Sequence, residues 1–218
     1  MKSMKKGLFI TIEGPDGAGK STQIEYIKNY LKEKNLPALF TREPGGTKIS
    51  EKIRKIILDK ENSEMSYMTE ALLYAASRAQ LVEEVILPAL DEGKIVICDR
   101  FIDSSIAYQG FGRNLGEKVE VINKFAINGC MPDMTLLLRV DCKKGIDRIE
   151  ANCGKRGEKD RMECENISFH QRVLEGYLAL EKMYPDRIKA VDASQSIKAV
   201  SDDIGYELDN LFKEYYGI

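Results

Sequence analysis

The 218-residue sequence has no excess of either charge: 33 basic and 35 acidic residues leave a formal charge of −2. No global potential would therefore hold the chain on nucleic acid or on an anionic membrane, and any anion site must be local. Apolar runs long enough to span a bilayer are also missing. The amino-terminal "MKSMKKGLFITIEG" has the basic-then-apolar outline of a secretory signal, but Glu13 ends the run too soon, so it reads as the entry to a strand. The expectation is a cytoplasmic protein with no membrane and no nucleic-acid partner. Five cysteines (Cys98, Cys130, Cys142, Cys153, Cys164) are an odd number at irregular spacing with no C-x-x-C pair. That indicates neither a disulfide framework nor a four-thiolate zinc site, so reduced thiols are expected, with a metal between Cys153 and Cys164 a remote alternative. Histidine occurs once, His170, in a polar helical stretch, and no imidazole chemistry is assigned to it.

Strand-like and helix-like runs alternate along the chain. "GLFITIE", "PALFTR", "KIVICD", "MTLLLRVD" and "RIKAVDA" read as strands. Between and after them come helical patterns near Gly19 to Lys34, through "ISEKIRKIIL", from Tyr67 to Asp91, through "VEVINKFAIN", from Lys143, through "FHQRVLEGYLALEKM" and from about Ile197. In the longest, Met68, Leu72, Ala75, Ala79, Val82, Ile86 and Leu90 recur at steps of three and four. The strands are apolar along most of their length, as strands buried on both faces of a parallel sheet are. The expected fold is a doubly wound α/β domain with a central parallel five-stranded sheet, spanning residues 1–218 without a linker. Ligands in such sheets bind at the carboxyl ends of the strands.

Between the first strand and the first helix lies "GPDGAGKST". Gly14, Pro15, Asp16, Gly17, Ala18, Gly19, Lys20 and Ser21 fit G-x-x-x-x-G-K-[ST] in full, with Thr22 next. Glycines let backbone N–H groups turn in around phosphate oxygens, and the helix N-terminus adds favourable dipole charge. Lys20 reaches the outer phosphates and Ser21 offers a hydroxyl to Mg²⁺. The motif points to a nucleoside triphosphate with magnesium. Asp99, ending the apolar "KIVIC", is the expected second acid on the magnesium side. No guanine-reading N-K-x-D follows the later strands, which counts against a GTPase switch.

Several arginines fall near the same sheet edge: Arg42 at the end of the second strand, Arg54 on the next helix, Arg78 on the long helix and Arg100 after Asp99. One arginine is ordinarily a solvated charge, but their coincidence with strand ends suggests a second anion. Tyr74 and Arg78, four residues apart, share a helix face and could meet one planar ligand.

The ordered set "TIEGPDGAGKST", "TREPGG", "EALLYAASRAQ", "VICDRFIDSSIAYQG", "FAINGCMPDMTLLL" and "RGEKDR" resembles the bacterial form of the thymidylate kinase family over nearly the whole chain. The resemblance implies a P-loop nucleoside monophosphate kinase fold with a lid at about 152–162, transfer of the γ-phosphoryl group of ATP to dTMP, and a homodimer. It places Arg54 and Arg100 on the dTMP phosphate, and Glu43 and Asp16 near the sugar and the transferring group. Tyr74, where the family often has Phe, would stack on thymine. Ser105 and Gln109 would line the base, and Tyr108 would pack on the deoxyribose and crowd a 2′-hydroxyl. Gly17 stands where some relatives carry an arginine; in the bacterial form that cation comes from the lid, here Arg156 first, Arg161 second and Lys155 third.

Base choice has a chemical handle. A guanidinium from Arg78 favours the O4 acceptor of thymine and opposes the amino donor of cytosine. A methyl pocket separates dTMP from dUMP by only about 1–3 kcal/mol, so weak dUMP activity is expected. The acceptor phosphate, with a second pKa of about 6, is already ionised at neutral pH. Catalysis then reduces to positioning and charge neutralisation by Lys20, Mg²⁺ and arginines. A kinase for another nucleotide or nucleoside and a P-loop ATPase switch are the alternatives.

Overall fold

A computed structural model describes residues 7–156 and 160–217, apart from the side chains of 152–156. Its strands β1 (Phe9–Glu13), β2 (Ala38–Arg42), β3 (Ile95–Asp99), β4 (Met134–Arg139) and β5 (Ile188–Asp192) form one parallel sheet in the order β2-β3-β1-β4-β5. This is the five-stranded parallel sheet expected from the apolar runs. The central strands are buried almost throughout, whereas the edge strands β2 and β5 are half-exposed.

Successive strand residues point to opposite faces, and the core divides accordingly. Ile10, Ile12, Ile95, Ile97, Leu136 and Leu138 pack under α1 (Lys20–Glu33) and α9 (Ile197–Tyr216), which contribute Ile27, Leu31, Ile204 and Leu208. Phe9, Val96 and Cys98 face the other way, against Leu81, Val82 and Ile86 of the long helix. Leu137 meets Phe169, Val173 and Tyr177 of α8 (Ile167–Met183). Each such side chain contributes about 1.5–3 kcal/mol by leaving water. Ser and Thr caps start the helices that flank the site: Thr47 for α2 (Lys48–Leu58) and Ser66 for α3 (Tyr67–Leu81).

Three stretches depart from the expected pattern. The long helix is not uniform: α3 passes through a π-helical turn, Val82–Ile86, into α4 (Leu87–Asp91). The cause is Pro88, whose ring cannot follow a regular turn, so the helix widens ahead of it. The segment after Asp99, to which the sequence reading gave no element, is helical: α5 (Ile102–Ser105) runs directly into a π-helical stretch, Ile106–Gly112. Finally, α7 (Cys142–Arg156) continues over Cys153 to Arg156, where the sequence reads as a loop. The remaining helix, α6 (Lys118–Ala126), packs on α3. Cys98, Cys130, Cys142 and Cys164 are free thiols. No helix among the described residues is long and apolar enough to cross a membrane.

Candidate active site

The loop from Gly14 to Thr22 leaves β1 and enters α1 through Gly19, whose φ of +94° places it in the left-handed region, and no side chain caps the helix. This leaves the uncapped helix N-terminus facing the cavity as a seat for an anion. Gly17 is required for a different reason. A Cβ there would lie 2.2 Å from the carbonyl oxygen of Gly145 in the first turn of α7, and a Cβ on Gly145 would lie 2.7 Å from the Asp16 oxygen. Loop and helix touch backbone to backbone, which leaves no room in this arrangement for the arginine some relatives carry at that position.

Lys20 folds back over the loop. Its Nζ donates to the carbonyls of Gly14 and Pro15 at 3.1 and 3.0 Å. Burial, then the charge of Arg100, pushes its pKa down to about 8, with Asp16, Asp99 and Glu13 opposing the shift. Ser21 and Asp99 line the same cavity. The Oδ1 of Asp99 is buried without a hydrogen-bond partner, a carboxylate oxygen suited to a cation or its water. Among the described residues no three acidic, histidine or cysteine side chains converge, so a Mg²⁺ held here would take most of its oxygens from phosphates and water.

Arg100 is the centre of the site. It follows β3 with a left-handed φ of +68°, a conformation costing a non-glycine residue on the order of 1–3 kcal/mol and held only by its surroundings. Its guanidinium donates to Asp16 Oδ1 at 2.5 Å, to the hydroxyls of Tyr108, Tyr177 and Ser104 at 3.1 Å each, and to the Gly14 carbonyl at 2.9 Å. Tyr108 in turn donates to Asp16 Oδ2 at 2.7 Å. Burial alone would raise the Asp16 pKa, but Arg100, Lys20 and Tyr108 outweigh it and hold the carboxyl below its ordinary range. Underneath lies Glu13, which accepts from the Phe101 and Ser104 amides and from the Ser104 and Tyr177 hydroxyls. Burial and the nearby Asp103 push Glu13 above the usual carboxylate range.

The expected acceptor residues line the same cavity of about 490 Å³: Glu43, Arg54, Tyr74, Arg78, Ser105, Tyr108 and Gln109. Arg54 donates to the Pro44 carbonyl at 2.9 Å. Arg78 is only 1 % exposed. Its donors go to Glu43 Oε2, Ser105 Oγ, Asn123 Oδ1 and the Phe101 carbonyl, which occupies all five N–H groups a guanidinium has. Reading a base edge with Arg78 requires one of these bonds to be exchanged. Its partner Glu43 keeps Oε1 buried and unpartnered, and burial raises its pKa to about 7 despite Arg78.

The lid residues separate. The Arg156 and Lys155 side chains lie outside the described residues. Arg161 is turned from the cavity: its Nε donates to the Ile57 carbonyl at 2.8 Å and its NH2 lies 2.7 Å from Glu70 Oε2 as an ion pair. Its neighbours Asp160, Met162 and Glu163 line the cavity instead. A cation the strand-end search missed is Arg148, on α7, which lines the cavity and donates to the carbonyls of Gly17 and Ala193. Glu13 had a visible signal, an acid ending an apolar strand as Asp99 does. Tyr177, Asn123 and Arg113 had none.

An enzyme that passes a phosphoryl group from a triphosphate to a second small anion needs both pockets in one cavity, and here fold and site together define a P-loop nucleoside monophosphate kinase. The thymidylate kinase family model matches residues 12–204. Similar proteins include thymidylate kinases of Clostridium novyi (strain NT), 50 % identical over 92 % of this chain and 98 % of that protein, and of Oceanobacillus iheyensis, 52 % identical over 90 % and 87 %. The crystal structure of thymidylate kinase from Ehrlichia chaffeensis matches with a TM-score of 0.74 and 32 % identity, covering 94 % of this chain and 99 % of the other. The chain belongs to the thymidylate kinase family, phosphotransferases that use ATP as the phosphoryl donor for dTMP.

Proposed function

We propose that the residues lining this cavity divide the reaction between two ends. The Gly14–Thr22 loop, Lys20 and Ser21 hold the triphosphate of ATP. Arg54 and Arg100 hold the phosphate of dTMP, Tyr74 stacks on thymine, Ser105 and Gln109 line the base, and Tyr108 packs on the deoxyribose. Glu43 and Asp16 lie near the sugar and the transferring group. The observation that carries this reading is that both sets line a single cavity.

No side chain has to remove a proton, because the acceptor phosphate is ionised at neutral pH. What the chain supplies is alignment of two anions and positive charge around the transferring oxygens. Arg100 is pre-oriented by Tyr177 and Ser104, and it exchanges protein acceptors for phosphate oxygens when dTMP enters. Ser21 and Asp99 would hold Mg²⁺, which when bound neutralises charge between the outer phosphates. The chain is read as one domain with a lid segment at about 152–162, and Arg156 is its proposed finger. Arg156→Ala lowers kcat about 100-fold in this reading; an unchanged kcat removes it from the mechanism.

We also assign a homodimer in the cytoplasm. Exposed Leu72 of α3 and exposed Val121 and Phe125 of α6, the last two four residues apart on one helix face, offer an apolar surface for a second copy. The substrate reading is tested by coupled ADP production with dTMP, dUMP, dCMP, dGMP and AMP. Turnover with dTMP, weak turnover with dUMP and strong rejection of dCMP are expected. Phosphate release without any acceptor would instead favour an ATPase switch.

A further inference from the structure

Glu70 is fully buried at 0 % exposure and is not among the residues lining the cavity, yet it is the meeting point of three segments. Its Oε1 accepts from Gln109 Nε2 at 2.9 Å and from Arg113 Nε at 3.1 Å. Its Oε2 accepts from Arg113 NH2 at 2.9 Å and pairs with Arg161 at 2.7 Å. Arg113 also holds Glu165 at 2.5 Å. Burial would raise the Glu70 pKa, but the two arginines and Gln109 outweigh it, so the carboxyl stays charged.

We infer that Glu70 is a positioning residue for base selection: it fixes which way the carboxamide of Gln109 faces. A carboxamide has a donor end and an acceptor end, and a flip would bring its carbonyl oxygen against the Glu70 carboxylate. With one N–H committed to Glu70, Gln109 offers the cavity its carbonyl oxygen and its second N–H. This pair complements the N3–H donor and O4 acceptor of thymine. It opposes cytosine, whose N3 is an acceptor and whose N4 is a donor. Arg113 and Arg161 keep Glu70 ionised and stationary. The two residues flanking Arg161, Asp160 and Met162, line the cavity, so base pocket and lid base share one buried carboxylate. This rests on the reading that Gln109 lines the base.

The test compares Glu70→Gln and Gln109→Leu with the unaltered enzyme, using dTMP and dCMP as acceptors. Glu70→Gln is expected to raise the KM for dTMP about tenfold while kcat stays within about threefold, and to reduce the dTMP:dCMP ratio of kcat/KM at least tenfold. A structural role alone would lower activity on both nucleotides together, and an unchanged ratio overturns the inference. If Gln109→Leu raises the dTMP KM while Glu70→Gln leaves the ratio intact, the base-lining role stands and the Glu70 role falls. If Gln109→Leu leaves the dTMP KM unchanged, both fall. Should Glu70→Gln fail to fold, side-chain amide NMR of the unaltered protein decides. The Gln109 amide, assigned by its loss in Gln109→Asn, should exchange slowly with water before dTMP is added; fast exchange overturns the proposal.

Discussion

The ends of the cavity proposed for donor and acceptor are built differently. At the donor end the backbone does the work: consecutive residues, three glycines with positive φ (Gly14, Gly17, Gly19) and one lysine form the seat. At the acceptor end side chains from β2, α2, α3, the segment after β3 and the lid base are held by charged hydrogen bonds, with Glu43–Arg78, Asp16–Arg100 and Glu70–Arg113 as the buried or half-buried pairs. A backbone seat depends on local conformation and tolerates little change within one short segment. A side-chain network spreads the same requirement over the whole domain, and a fault anywhere in it reaches the substrate through a partner.

The largest contrast should come from removing one cation at each end. Lys20→Ala is expected to lower kcat about 10²–10³-fold, the scale of a lost transition-state donor, while the KM for dTMP stays within about threefold. Arg100→Lys, which keeps charge but loses the planar fork, should lower kcat/KM for dTMP about 10²-fold with ATP binding retained. Steady-state kinetics and calorimetric titration of ATP would separate the two. If Lys20→Ala raised the KM for dTMP, or Arg100→Lys weakened ATP binding, the division into two ends would fail.

A smaller effect is expected where the donor loop meets α7. Gly17→Ala puts a Cβ against the Gly145 carbonyl at a φ of +76°, and should reduce stability by about 1–3 kcal/mol and raise the KM for ATP. Urea unfolding measures the first and kinetics the second. An unchanged midpoint would mean that loop and helix can separate.

The subtlest difference is in protons. Between about 8 and its ordinary 10.5 the folded Lys20 holds fewer protons than the unfolded chain. Its contribution therefore makes stability rise with pH across that window, and the cost of charging it is present below about 8. A bound triphosphate restores the charged form, so ATP binding near pH 8.5 should take up a fraction of a proton, and Lys20→Arg should abolish the uptake. Titration calorimetry in buffers of different ionisation enthalpy reads this directly; no uptake in the unaltered protein would place Lys20 outside the triphosphate seat.

Much of this could be read from residue order. The parallel sheet followed from apolar strands, and the phosphate loop from a contiguous motif whose spacing is itself the mechanism. Asp99 and the neighbouring Arg100 were visible because strand ends mark the ligand edge. Less was legible where partners are distant in the chain. Arg78 read as a cation for the base edge and Arg161 as a second lid cation, yet the fold pairs them with Glu43 and Glu70, acids 35 and, for the second pair, far more residues away. The helical extension through Cys153 to Arg156 holds a glycine and two adjacent charges and no apolar period, so pattern alone did not mark it as helix.

What the sequence by itself determined was the phosphate-loop motif and the strand pattern, because each is encoded by neighbours along the chain. Only the tertiary structure decided which charges neutralise one another, that Tyr177 and Glu13 support Arg100, and that Gln109 is held by Glu70. Those choices depend on burial, and a buried charge takes whichever opposite partner the packing brings within reach.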